Sequence, residues 1–149
     1  MTVPGRIALC CGIAIFAAAC SENAPKPWSK AEMKTLSEQF SHIAEAFAVV
    51  DVCMPMIDAN QEVKRSVIAK IEVRRYSQLS AINTKAEVAK FLAYHRRTGG
   101  TDAQAAQLEW VYQDSYRAAA QGLKSIDNCA ETVTDYANTI LQTRVEPGA

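Results

Sequence analysis

The chain holds 149 residues, with 16 Lys and Arg against 16 Asp and Glu, so its formal net charge is zero. That length suits one domain, and a neutral balance argues against nucleic acid as a partner, which asks for a strongly basic face. No internal repeat or low-complexity block interrupts the sequence.

The first residues read as an export signal. Arg6 precedes the apolar run Ile7 to Phe16, which closes on Ala17-Ala18-Ala19-Cys20. A positive start, an apolar stretch of about ten residues and a small-residue cleavage site are the layout of a secretory signal over 1–19. The run is too short for a transmembrane helix, which needs about 20 apolar residues. A cysteine directly after small residues resembles a bacterial lipoprotein signal, although Ala17 stands where Leu or Val is usual. The resemblance implies that Cys20 is lipidated and begins the mature chain, anchored in the cell envelope. Ser21 after it looks like an outer-membrane address. The plainer alternative is an ordinary cleaved signal with an incidental thiol at Cys20.

Five cysteines are an odd count for an oxidising compartment. Cys10 and Cys11 leave with the signal and Cys20 takes the lipid, so Cys53 and Cys129 remain as a pair. In an exported chain they are expected to form a disulfide rather than stay two buried thiols. The closed loop of about 76 residues corresponds to ~4–5 kcal/mol of chain entropy as an upper figure.

Residues 20–28, with two prolines and no apolar periodicity, read as a lipidated tether. From 29 to 145 the apolar spacing is helical. Ser29 and Glu32 form a capping box ahead of Met33, Leu36, Phe40, Ile43, Phe47 and Val50, a stripe of about six turns. Pro55 is expected to stop that helix near Cys53. A second helix, about 59–78, carries Val63, Val67, Ile68 and Ile71, with Tyr76 and Leu79 at its end. Thr84 and Glu87 form a second capping box for a short helix bearing Val88, Phe91 and Leu92. Gly99-Gly100 breaks the chain, and Thr101 with Gln104 caps a fourth helix carrying Ala105, Leu108, Val111, Tyr112, Ser115 and Ala119 to about Gly122. A fifth starts near Ser125 and carries Ile126, Cys129, Val133, Tyr136 and Ile140. Residues 146–149 read as a tail. The expected fold is all-α, a compact bundle of about five helices stapled by one disulfide.

Charge is distributed unevenly. Residues 64–97 hold nine Lys or Arg against Glu72 and Glu87, between flanks that each hold seven acids and three bases. These cations either meet an acidic partner, anionic head groups or a polyanionic cell-surface polymer, or they pair with the acidic helices across the bundle or simply keep the face wet. His42 and His95 lack zinc-site spacing, and no nucleophile elbow or phosphate loop occurs. His95, near a helix C-terminus, is expected to cap it with a positive imidazole. The reading is therefore a non-enzyme with no cofactor and no metal.

Trp110 lies about 200° around the fourth helix from Tyr112. Either that helix is central in the bundle, or Trp110 is exposed and anchors a partner. The layout of signal, Cys53, Cys129 and helices is similar to the secretin pilotins, small lipoproteins whose helical domain holds a secretin helix in a groove. The resemblance implies a membrane-anchored module that binds another envelope protein. From the aromatic placement and the basic stretch, Trp110, Arg74, Arg75, Arg96 and Arg97 are the candidate contacts. Periplasmic immunity proteins and entry-exclusion lipoproteins share the outline, and a domain for a lipid or wall fragment is a third class.

Overall fold

A computed structural model describes residues 25–143. The signal, Cys20 with the start of the tether, and the tail lie outside the described residues. Within them the protein is all-helical: α1 (Lys30–Asp58), α2 (Gln61–Ile71), α3 (Val73–Ser80), α4 (Thr84–Thr98), α5 (Asp102–Gly122) and α6 (Ile126–Gln142).

The central pair is α1 with α5, and the two run parallel. Trp28 meets Gln104, the Ser41 hydroxyl lies 2.9 Å from that of Ser115, and Val49 shares a groove with Leu123. Parallel neighbours need a crossover: α2 and α3 stay at the Asp58 end of α1, and α4 carries the chain back from Asp51 toward Phe40. Then α6 returns antiparallel to α1, its Cys129 beside Cys53 and its Ile140 level with Ala46 and Val49. Cys53 and Cys129 stand at disulfide-bonding distance, Cα atoms 5.0 Å apart, and both are fully buried. The main core gathers Phe47, Val50, Ile57, Leu79, Val133 and Ile140 around that pair. A smaller core of Leu36, Phe40 and Leu108 lies toward the start of α1. By length and composition α1 could cross a bilayer, but 61% of its most apolar window is buried within the bundle, as befits a core helix.

Three expectations are corrected. Pro55 does not stop the first helix at Cys53; α1 runs on to Asp58. A proline costs the bond to the carbonyl four residues back, here Asp51, whose position is exposed and can be wetted. Burial of Met54 and Ile57 then holds the last turn. The single helix expected over about 59–78 is two, which makes six helices rather than about five. A continuous helix would turn Tyr76 about 140° away from Ile71. Glu72, at φ 73° and ψ 149°, resets the phase so that Val67, Ile71, Tyr76 and Leu79 are all buried. That backbone conformation suits glycine. Glu72→Gly is therefore expected to raise stability by about 1 kcal/mol in urea denaturation, even after the larger chain entropy of glycine is counted. Lastly, the cap of α4 is Asn83, whose side-chain oxygen accepts from the Ala86 amide. Thr84 is already helical and donates its hydroxyl to Asp51 at 2.8 Å, tying α4 to α1.

The Ser29–Glu32 and Thr101–Gln104 capping boxes form as expected. Gln104 does more than close its own helix. Its side-chain oxygen accepts from the Trp28 amide at 3.0 Å and its nitrogen donates to the Trp28 carbonyl at 2.8 Å. The Gly100 amide donates to the Lys26 carbonyl at 2.8 Å. Gly100, at φ 84°, lies so close under the Trp28 ring that a Cβ there would stand 2.5 Å from it. Lys26 to Trp28, assigned to the tether, are thus held on the domain.

Candidate functional site

An apolar groove of about 690 Å³ lies between the middle of α1, the end of α5 and the second half of α6. Helical spacing builds its walls. His42, Glu45, Ala46 and Val49 follow one face of α1, while Thr132, Tyr136, Thr139, Ile140 and Thr143 follow one face of α6. Ala119 and Leu123 close the end at α5. Ala46 and Ala119 are too small to fill the gap between their helices, so it stays open along one side.

Polar groups are confined to the rim. His42 Nδ1 lies 3.8 Å from Glu45, both exposed, and the threonines offer hydroxyls. On the outer face of α6, Asp127, Glu131 and Asp135 repeat every fourth residue, all exposed, and α6 carries no Lys or Arg. The arrangement can bind apolar groups flanked by positive charge. It offers no assembled nucleophile and base, and among the described residues no three His, Cys, Asp or Glu side chains gather as a metal group.

None of the five candidate contacts, Trp110, Arg74, Arg75, Arg96 and Arg97, lines this groove. Trp110 is 64% exposed on α5, so the central-burial alternative does not hold for it. It lies about half a turn around α5 from Ala119 and roughly 13 Å along the axis. Arg96 and Arg97 sit exposed in the last turn of α4. Arg74, exposed, and Arg75, half-buried, belong to α3, whose Tyr76 hydroxyl donates to Asp58 at the far end of α1. Because His95, beside Arg96, packs on Phe40, the two arginine pairs are separated by about 27 Å or more along α1. Of the nine cations from Lys64 to Arg97, Lys64 pairs with Asp58 and Lys90 with Glu87. Among the described residues the four arginines make no ion pair, so pairing across the bundle does not account for them.

Tyr136 is the groove residue that sequence reasoning placed wrongly. Its spacing from Cys129 and Val133 assigned it to the buried stripe, yet it is 56% exposed and Ala137 takes the core position. The signal was Ala137 four residues after Val133, a closer fit to the helical repeat than Tyr136 at three. Tyr112 and Tyr116 stack at 6.0 Å beside the core, and the Tyr116 hydroxyl donates to Asp51 at 2.9 Å. Burial, then that bond, pushes Tyr116 up to about 12, so it stays a neutral donor.

His95 corrects another expectation. Instead of capping α4 as a cation, it packs against Phe91 at 4.4 Å, Tyr94 at 5.2 Å, Phe40 at 5.9 Å and Trp28 at 6.3 Å between centroids. Burial pushes its pKa below the ordinary imidazole value. The unfolded chain then holds this proton more tightly than the fold does. Stability should fall as pH drops through the ordinary imidazole value and level off below the folded one. Denaturation midpoints of wild type and His95→Gln from pH 8 to pH 5 check this: the acid-side loss should be smaller in the variant.

No family model matches the chain, and no curated protein or solved structure does.

Proposed function

We propose that this is an envelope lipoprotein, anchored through Cys20 and facing the periplasm from the outer membrane, whose helical domain binds another envelope protein. The observation that carries the reading is the open apolar groove between α1, α5 and α6, with Leu123 and Tyr136 accessible above a floor of buried Val49 and Ile140. Its place between helices, apolar floor and acidic outer wall suit an amphipathic helix bearing basic residues at its flanks. Leu123 would meet the apolar face, with Tyr136 as a half-exposed anchor of the kind enriched at interfaces. Trp110 is a second, separate contact on the opposite side of α5, and Arg74, Arg75, Arg96 and Arg97 are rim or membrane-side charges rather than parts of the groove.

The test is a photo-crosslinking residue at position 136 of the anchored chain in its native host, with mass spectrometry of the product. One dominant envelope protein is expected, captured through a basic amphipathic segment and lost in Thr139→Trp, which fills the groove from an exposed wall position. Its identity would separate pilot, immunity and exclusion roles. Lipid or glycan crosslinked in place of protein would overturn the protein-binding reading.

A further inference from the structure

At one end of the bundle the incoming segment Lys26–Trp28, the start of α1, the end of α4 and the start of α5 converge. The Gly100 bond to Lys26, the Gln104 clamp on Trp28 and the packing of Trp28 on His95 hold them together. Lys26, Lys30, Lys34, Arg96 and Arg97 are all exposed there. The acids at this end are Glu32, held by the Ser29 amide, Glu38, 4.0 Å from Lys34, Asp102 in the first turn of α5 and Glu109 two turns further along it. Cations therefore outnumber acids. Two helix N-termini, of α1 and α5, against one C-terminus add to the positive potential. Tyr94, 45% exposed, stands on the same turn of α4 as the arginines.

We propose that this end of the bundle is a docking surface for an anionic phospholipid bilayer. The inference rests on the anchored reading of Cys20 and sets the orientation that anchoring gives. Cys20 precedes Lys26 by six residues, at most about 20 Å of fully extended chain. The far end of α1 is roughly 43 Å from its start, so an acylated Cys20 can hold only the Lys26 end at the head groups. The charge found there matches the surface it must meet, and each cation near such a surface strengthens partition roughly fivefold. His42 lies about 18 Å along α1 from Lys30, which lifts the groove clear of the head groups, where a second protein can reach it.

Lysine acetylation footprinting of the full chain in vesicles tests the proposal. Neutral phosphatidylcholine vesicles are compared with vesicles containing about one-third phosphatidylglycerol. Lys26, Lys30 and Lys34 are expected to react several-fold more slowly on the anionic vesicles, while Lys70 and Lys85 are unchanged. High salt should remove the difference, because these charges are exposed. Arg96→Glu with Arg97→Glu should abolish the protection, and Arg74→Glu with Arg75→Glu should leave it. Equal rates on both vesicles, protection spread evenly over all five lysines, or equal effects of the two arginine pairs would overturn the surface. The same spectra weigh Cys20. An acylated chain without lysine protection overturns the surface and leaves the anchor; an unacylated chain that is still protected does the reverse.

Discussion

Replacing Cys53 and Cys129 together by alanine is expected to lower unfolding free energy by about 3–5 kcal/mol, read as a shift of the urea midpoint against the oxidised wild type. The pair closes a separation of 76 residues and joins the last turns of α1 to the first turns of α6. Without it, the unfolded chain regains most of its freedom, and α6 is held to α1 by packing alone. Reduction of the wild type should reproduce most of the shift, since both sulfurs are fully buried and no third described cysteine is at hand to exchange with them. A loss below about 1 kcal/mol would mean that the denatured chain already holds these segments together.

Phe40→Ala is expected to cost about 3–5 kcal/mol, whereas Trp110→Ala should stay within about 0.5 kcal/mol. Both are large aromatics on core helices, and their chemistry alone does not separate them. Phe40 is 1% exposed and packs against Phe91 at 4.6 Å and His95 at 5.9 Å. It forms the smaller core with Leu36 and Leu108, so its removal leaves a cavity beneath the Trp28 dock. Faster hydrogen exchange of the Gly100 amide, which bonds Lys26, should accompany the loss. Trp110 has solvent on most of its surface, and its removal leaves no cavity. A large penalty at Trp110 would show that the ring covers apolar surface in the free protein.

Much of this fold was legible because helices announce themselves locally. Ser29 with Glu32 and Thr101 with Gln104 satisfy amide donors within one turn, so their sequence signature needs no distant partner. The stripe of Leu36, Phe40, Ile43, Phe47 and Val50 repeats at helical period and is buried throughout. The break at Glu72 was only half legible. The five-residue step from Ile71 to Tyr76 marked a change of phase, but not which residue would absorb it. Asn83 and Thr84 are both good caps, and the choice fell to Asp51 on another helix, which takes the Thr84 hydroxyl.

The sequence by itself determined the all-helical class, most helix starts and the pairing of Cys53 with Cys129, because capping, periodicity and cysteine number are properties of short segments and counts. Tertiary structure alone decided that α1 and α5 run parallel and that Trp110 faces solvent while Tyr136 edges a groove. It also decided that the four arginines divide between the two ends of the bundle. Those outcomes depend on which faces of different helices meet, and a face is chosen by the summed burial of all of them. A groove in particular is made by what is missing: Ala46 and Ala119 matter for the space they leave, and only packing shows that nothing fills it.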